Sequence, residues 1–193
     1  TGTNGKTTTT TLVGRLFHDA KKQHVVAGNI GTAFSSVVSK LHESSIAVLE
    51  VSSFQLDDIE SFRPKVSVIL NITPDHLDRY AHSVENYIAS KCKIFENQTK
   101  DDYLIYSYDD DETRESVRRL ASLHVHAIPF SVMEQFDEGA FVAQGKLVTI
   151  VAGKRTEIVA TEEISIKGIH NLYNSMAAVL AAQIMGVSPA SIR

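Results

Sequence analysis

Glycines, a lysine and threonines stand together near residue 1 in an order suited to binding phosphate. The stretch reads Gly2-Thr3-Asn4-Gly5-Lys6-Thr7-Thr8. Glycines let backbone N–H groups approach phosphate oxygens, a lysine can neutralise the β and γ phosphates of a triphosphate, and a threonine hydroxyl can bind Mg²⁺. The stretch therefore predicts a site for ATP. The alternative is a glycine turn that opens a helix, because the general phosphate-loop pattern has a further glycine at a position before Thr1.

A carboxylate that could share a metal ion with this loop is Glu50. It ends the apolar run 46–49, and phosphate-loop enzymes direct a carboxylate at the Mg²⁺ of the nucleotide from such a strand end. Thr7 would be its partner. Ser52 follows closely and adds a hydroxyl group. The alternative for Glu50 is an ordinary surface glutamate.

A histidine between two aspartates follows another apolar run. His76 comes after residues 66–70 and is flanked by Asp75 and Asp78. It would emerge at the same edge of a parallel sheet as Lys6 and Glu50, which is the edge where open α/β sheets bind ligands. Neutral imidazole can bind a metal, so His76 is a candidate ligand. The alternative is a structural or exposed histidine.

Four other side chains suit a ligand, but no pattern singles them out. A lysine on a predicted helix is usually solvated, and Lys93, two positions from Lys91, would face elsewhere on the helix. Amides can hydrogen-bond a ligand, but they serve more often in turns and helix caps. These candidates are Lys91, Asn29, Asn171 and Asn174.

The elements that must position these residues follow from the spacing of apolar residues. Strand-like runs alternate with helical patterns over the first 110 residues, which predicts a mostly parallel sheet with helices on both faces. The predicted helices cover residues 6–22 and 34–41 and a long helix capped by Ser83. The predicted strands cover residues 25–27, 46–49, 66–70 and 103–106.

The second half of the chain has a different pattern. Residues 124–166 form short β-like runs, and turns are expected at Gln144-Gly145 and Gly153-Lys154. An alanine-rich helix should follow His170, and Gly186 should end it. The predicted fold class is therefore α/β, with a small antiparallel β appendage on a mostly parallel sheet.

Composition limits the classes of function. The 193 residues fit one domain with a real core, and 43% of them are hydrophobic. The net charge of −4, with scattered Lys and Arg, argues against a nucleic-acid partner. The single cysteine, Cys92, cannot form an internal disulfide, so a reducing cytoplasm is expected. The apolar stretch 176–187 is too short to span a membrane.

Five segments together resemble the Mur ligase family, and they occur in that family's order. Two of them, Ser-Ser-Phe-Gln-Leu and Asp-His-Leu-Asp-Arg-Tyr, are most similar to the branch that adds D-glutamate to UDP-N-acetylmuramoyl-L-alanine. The five segments are Gly2-Thr3-Asn4-Gly5-Lys6-Thr7, Gly28-Asn29-Ile30-Gly31, Glu50-Val51-Ser52-Ser53-Phe54-Gln55-Leu56, Asn71-Ile72-Thr73-Pro74-Asp75-His76-Leu77-Asp78-Arg79-Tyr80 and Gly168-Ile169-His170-Asn171-Leu172-Tyr173-Asn174.

The resemblance implies that residues 1–193 are the central ATP-binding domain of a three-domain enzyme. The phosphate loop has no strand before it here, which also favours a piece of a longer protein. An N-terminal domain would bind the UDP-sugar and a C-terminal domain would bring the amino acid, so the piece alone is expected to be inactive. The implied reaction passes through an acyl phosphate. The implied enzyme is a cytoplasmic monomer that acts in the synthesis of peptidoglycan precursors.

The resemblance also implies roles for the candidate residues. Lys6, His76 and Lys91 would be catalytic, with two Mg²⁺ ions. Thr7 and Glu50 would hold the first ion. His76 and Lys91, the latter carbamylated, would hold the second.

Residues 2–8 would bind the phosphates of ATP. Asn171 and Asn174 would lie near its adenine. Asn29 and Ser52 would contact the UDP-muramoyl substrate.

Two alternatives stay open at this point. A folylpolyglutamate synthase shares the acyl-phosphate route, but its loop usually has Gly-Ser after the lysine where this chain has Thr7-Thr8. A nucleotide-binding regulatory or scaffold module would have no catalysis at all. Release of ADP that depends on the acceptor amino acid would exclude the second alternative.

Overall fold

The computed structural model describes residues 1–74, 77–120 and 125–193. Its strands form two sheets. The first is a parallel pair, and the second has six strands, each beside the next one along the chain. The strands are β1 (His24–Gly28), β2 (Ile46–Glu50), β3 (Val66–Ile69), β4 (Tyr103–Ser107), β5 (His126–Ser131), β6 (Gly139–Ala143), β7 (Lys146–Val151) and β8 (Lys154–Ala160).

Helices connect and cover these strands. Several short 3₁₀ turns join them, including Phe34–Ser36, Val38–Lys40, Leu77–Tyr80 and Lys93–Phe95. The α-helices are α1 (Lys6–Asp19), α2 (Ser53–Leu56), α3 (Val84–Cys92), α4 (Asp111–Leu120), α5 (Ile169–Ile184) and α6 (Pro189–Ile192). No described helix combines the length and the hydrophobicity that a membrane span requires.

The parallel part of the six-stranded sheet has helices on both faces, as the burial of β4 shows. Successive side chains of a strand point to opposite faces, and both Leu104 and Ile105 of β4 are fully buried. Leu104 belongs to the apolar cluster that includes residues of α3, whereas Ile105 belongs to the cluster that includes residues of α1 and α5. The helices therefore cover both faces, which explains the continuous apolar runs of these strands.

The mostly parallel α/β sheet is confirmed. The pairs β3–β4, β4–β5 and β5–β6 are parallel, and β6–β7 and β7–β8 are antiparallel. The antiparallel part therefore starts at β6, later than the predicted start at residue 124. Gln144 and Gly145 form the first predicted turn with positive φ angles. Ala152 and Gly153 form the second, one residue earlier than predicted.

Three local predictions need correction. The helix predicted over residues 34–41 consists of two 3₁₀ turns, because serines and β-branched valines are poor helix formers. Helix α1 ends at Asp19 instead of residue 22, since Lys21 adopts a φ of 56° that a right-handed helix excludes. The long helix after Ser83 changes to a 3₁₀ turn at Lys93. Helix α4 was not predicted.

The predicted caps are confirmed. The Ser83 hydroxyl accepts a hydrogen bond from the Asn86 N–H at the start of α3. Gly186, with a φ of 77°, follows the end of α5, and Val187 N–H donates to the Ala182 carbonyl. Such a left-handed glycine ends a helix at little steric cost.

Candidate functional site

The predicted phosphate loop leads directly into α1. Gly5 precedes the helix with a φ of 80°, and its carbonyl accepts a hydrogen bond from the Thr9 N–H. The 14 residues of α1 place a helix N-terminus, with its partial positive charge, at the loop. The Lys6 Nζ donates to the carbonyls of Gly2 and Thr3, at 3.0 and 2.9 Å. The loop and the lysine therefore form one compact unit.

Two residues separated by 43 positions meet beside this unit. The Thr7 hydroxyl donates to Glu50 Oε2 over 2.8 Å. Glu50 is the last residue of β2 and is only 4% exposed. The structure therefore brings together the pair that was predicted to hold the first magnesium ion.

This pair has the chemistry that Mg²⁺ requires. Hydroxyl and carboxylate oxygens are hard ligands, and Mg²⁺ usually takes only one or two protein ligands beside phosphate oxygens and water. Within residues 1–74, 77–120 and 125–193, no three His, Cys, Asp or Glu side chains stand close enough to hold a metal. The contact between Thr7 and Glu50 fits an ion that also binds phosphate oxygens.

The side chain of Asn29, the residue that follows β1, contacts the same carboxylate. Its Nδ2 donates to Glu50 Oε1 over 3.3 Å. A side chain at the preceding residue, Gly28, would place a Cβ 2.2 Å from the Glu50 carbonyl oxygen. Only glycine therefore allows the end of β1 to lie so close to β2. The assignment of Asn29 to the substrate stays a prediction, and the structure places its amide beside Glu50.

Ser52 is buried at the start of α2. Its N–H donates to Gln55 Oε1 over 3.0 Å, as in a capping box. The side chain is 7% exposed, two residues from Glu50. Its role toward a substrate stays a prediction.

Lys91 is buried on α3 and also reaches the phosphate loop. Its Nζ donates to the Gly2 carbonyl over 3.0 Å and lies 4.5 Å from the centre of the Tyr87 ring. The residue is 2% exposed. Lys93 instead donates to the Asp57 carbonyl, so the two lysines have different surroundings, as their spacing predicted.

His76, the other predicted ligand of the second ion, lies outside the described residues, as does Asp75. The structure therefore places only Lys91 of that predicted pair.

Asn171 and Asn174 are close together on the first turns of α5. Asn174 Nδ2 donates to Asn171 Oδ1 over 3.3 Å, and Asn174 Oδ1 accepts from the Thr9 hydroxyl at 3.3 Å. Both residues line a cavity of about 630 Å³ together with Asn4, Gly5 and Thr8. The cavity thus connects the phosphate loop to the predicted adenine residues.

Tyr173 and Asp109 form a further pair in the wall of this cavity. The Tyr173 hydroxyl donates to Asp109 Oδ2 over 2.8 Å. Burial raises the pKa of Tyr173 well above its usual value, and the hydrogen bond to Asp109 raises it further. Tyr173 therefore remains a hydrogen-bond donor at physiological pH.

Several residues at the site were missed from the sequence. Asn71 and Thr73 contact the phosphate loop through hydrogen bonds, and Tyr87 packs its hydroxyl 3.1 Å from the Thr3 hydroxyl. Asn71 follows a buried strand directly, which is the signal that could have identified it. Asp109 and Asp110 follow β4 in the same way.

Comparison with known proteins identifies the family. A profile described as the Mur ligase middle domain matches residues 1–182. This chain belongs to the Mur ligase family.

Among curated Mur ligases, the chain is 42% identical over 200 residues to UDP-N-acetylmuramoylalanine--D-glutamate ligase of Salinibacter ruber, covering 100% of this chain and 43% of that protein. It is 44% identical over 187 residues to the protein of the same name from Alkaliphilus oremlandii, covering 97% of this chain and 40% of that protein. The chain thus spans about two fifths of the length of these relatives.

A solved structure of MurF from Acinetobacter baumannii matches with a TM-score of 0.70 and 19% identity, over 99% of this chain and 43% of that one. An identity of 19% is too low to indicate more than the fold, so this match supports the fold alone.

The contact between Gly5 and Asn174 leads to a stability prediction. A methyl group on Gly5 would lie 2.2 Å from Asn174 Oδ1, whereas one on Gly31 would meet nothing within 4 Å. Both glycines have positive φ angles, of 80° and 59° respectively, so both alanine variants carry backbone strain. Gly5→Ala should cost about 2 kcal/mol more than Gly31→Ala, because only Gly5→Ala adds a steric clash. Urea unfolding of the two variants measures the difference.

Shortening the opposing side chain tests the cause. The double variant Gly5→Ala/Asn174→Ala should lose less stability than the sum of its two single variants, since the clash is gone. Equal losses for Gly5→Ala and Gly31→Ala, or full additivity in the double variant, would refute the steric explanation.

Proposed function

We propose that this chain is the ATP-binding middle domain of a ligase that uses ATP to add D-glutamate to UDP-N-acetylmuramoyl-L-alanine. The contact between Thr7 and Glu50 beside Lys6 carries the proposal, since it joins phosphate chemistry and metal chemistry at one helix start. The substrates are proposed from the names of the relatives, which are 42% and 44% identical to this chain.

The chemical difficulty of the proposed reaction is to bring anions together. The carboxylate of the alanine would attack the γ phosphorus of ATP, the bond to the bridging oxygen would break, and ADP would leave. The amine of D-glutamate would then attack the carbonyl carbon of the acyl phosphate. Phosphate would leave, and the nitrogen of the attacking amine would lose one proton to solvent and keep the other as the amide N–H. Positioning and charge neutralisation supply most of the catalysis in such phosphoryl transfers.

Residues 2–8 would bind the phosphates, and Lys6 would neutralise the charge that develops on them. Its ammonium group would exchange the Gly2 and Thr3 carbonyls, which it contacts at 3.0 and 2.9 Å, for phosphate oxygens. The N-terminus of α1 would add its partial positive charge. Asn171 and Asn174, on the wall of the adjoining cavity, would bind the adenine.

Two magnesium sites complete the proposal. When bound, Mg²⁺ neutralises phosphate charge and orients the reacting oxygens. Thr7 and Glu50 would hold the first ion. His76 and a carbamylated Lys91 would hold the second, because a carbamate places a carboxylate where an ammonium group would repel the metal. Asn29 and Ser52 would contact the UDP-muramoyl substrate.

The remaining features of the complete enzyme are part of the same proposal. An N-terminal domain would bind the UDP-sugar, and a C-terminal domain would close over ATP and carry the amino-acid site. The enzyme would be a cytoplasmic monomer, and its product would serve cell-wall synthesis and thereby cell division and cell shape. The 193-residue chain alone would be inactive as a ligase.

The proposed function is tested by the release of ADP from the complete protein. ADP release should require Mg²⁺, UDP-N-acetylmuramoyl-L-alanine and D-glutamate together. Lys6→Ala should lower turnover by at least about 100-fold, because it removes a charge contact to the transition state. Release that is independent of D-glutamate would support a regulatory module, and release with a folate and L-glutamate would support the folylpolyglutamate alternative. Turnover of Lys6→Ala within about threefold of the unmodified enzyme would exclude the phosphate-loop role.

Lys91 permits a test of the second metal site. Lys91→Ala should inactivate the complete enzyme, and a small carboxylic acid such as acetate should partly restore turnover by occupying the space of the carbamate. Carbamylation requires the uncharged amine, and the burial of Lys91 favours that form. Turnover with and without acetate is the measurement.

Lys93→Ala is the matched control, because Lys93 is two residues away and binds the Asp57 carbonyl instead of the loop. It should retain turnover and gain nothing from acetate. Full activity of Lys91→Ala, or rescue of Lys93→Ala by acetate, would show that the carbamate is assigned to the wrong lysine.

A further inference from the structure

The Asn71 side chain forms two hydrogen bonds with the main chain of one phosphate-loop residue. Asn71 Oδ1 accepts from the Asn4 N–H at 2.8 Å, and Asn71 Nδ2 donates to the Asn4 carbonyl at 3.1 Å. Only a side-chain amide offers one acceptor and one donor on a planar group that matches both polar atoms of a backbone residue. Asn71 therefore binds Asn4 much as a neighbouring strand would.

The residues after Asn71 are fixed to other parts of the molecule. The Ile72 N–H donates to Asp110 Oδ1 over 3.1 Å, and the same oxygen accepts from the Thr113 N–H at 2.9 Å near the start of α4. The Thr73 N–H donates to the Thr3 hydroxyl at 3.0 Å. The support of Asn71 is thus rigid, because it is bonded both to α4 and to the loop.

The loop needs such external support. Gly2 and Gly5 have φ angles of 156° and 80°, and Gly5 adopts a left-handed conformation that glycine also leaves easily. Asn4 lies between them and is exposed. The Asn4 N–H is bonded to the Asn71 side chain and the Thr3 N–H to the Asn71 carbonyl, so the N–H groups available to phosphate lie from Gly5 onward. Their directions depend on how Asn4 is held.

We propose that Asn71 is a positioning residue for ATP: it holds Asn4 so that the phosphate loop keeps its binding shape before the nucleotide arrives. This inference rests on the proposed function, because it takes the phosphates of ATP as the ligand of the loop. Asn71 acts through Asn4 and has no chemical step of its own. Its loss should therefore weaken nucleotide binding more than it slows the reaction.

Three variants separate positioning from general stability. Asn71→Ala removes both hydrogen bonds. Asn71→Asp keeps the size and an acceptor for the Asn4 N–H, but replaces the donor with an oxygen that repels the Asn4 carbonyl. Asn97→Ala is the matched control, because Asn97 is also half-buried and donates to two main-chain carbonyls, Glu60 at 3.0 Å and Phe62 at 3.2 Å.

The first measurement is amide hydrogen exchange of Asn4 in the nucleotide-free 193-residue chain. Exchange should be at least about tenfold faster in Asn71→Ala, because the acceptor of this N–H is gone. It should stay slow in Asn71→Asp and in Asn97→Ala. An unchanged rate in Asn71→Ala, after correction for its global stability, would overturn the proposal. This result is independent of whether the protein is a ligase.

The second measurement is ATP-dependent turnover of the complete protein. We expect Asn71→Ala and Asn71→Asp to raise KM for ATP about tenfold while kcat stays within about threefold, which indicates lost ground-state binding. Asn97→Ala should leave both parameters unchanged even if it lowers the melting temperature as much. An equal rise of KM in Asn97→Ala, or an unchanged KM in both Asn71 variants, would overturn the positioning role.

A protein with no ATP turnover at all would instead overturn the proposed function, while hydrogen exchange would still decide whether Asn71 holds the loop.

Discussion

The shape of the phosphate loop depends on hydrogen bonds that come from outside it. Its residues include two glycines, which by themselves permit many backbone conformations. Asn71 holds it from the end of β3, and Lys91 holds it from α3. Asn174 contacts the start of α1 from the other end of the chain. Each of these contacts requires a correctly packed neighbouring element, so the site depends on the whole fold.

Two buried ionisable residues, Glu50 and Lys91, contact this loop at different residues. Glu50 is 4% exposed and Lys91 is 2% exposed, and a buried polar group without partners is costly. The Thr7 hydroxyl and the Asn29 amide contact Glu50, and the Gly2 carbonyl and the Tyr87 ring contact Lys91. A cation near Glu50 would find a carboxylate that is already desolvated and fixed, which strengthens binding.

Much of the parallel sheet could be predicted because its strands are buried on both faces and are therefore continuously apolar. Glu50 could be predicted for a related reason, since polar residues at the ends of such strands meet at one edge, whereas the phosphate loop was predicted from its glycines, lysine and threonines. Helix α4 was missed because its sequence, Asp-Glu-Thr-Arg-Glu-Ser-Val-Arg-Arg-Leu, has few apolar residues. The position of Asn71 beyond a buried strand could have marked it as a site residue, but its partner Asn4 could not be predicted, because a hydrogen bond across 67 residues has no local pattern.

The order of contacts along the chain also bears on how the protein folds. Strands β3 to β8 each pair with their neighbour in sequence, so this sheet can grow by closing short and moderate loops. The bond between Thr9 and Asn174 instead joins residues 165 positions apart. Closing so long a loop costs more chain entropy, and this contact brings little apolar burial until α5 packs beside α1. We therefore expect the sheet to form first and the nucleotide site to be completed last, when both ends of the chain have come together.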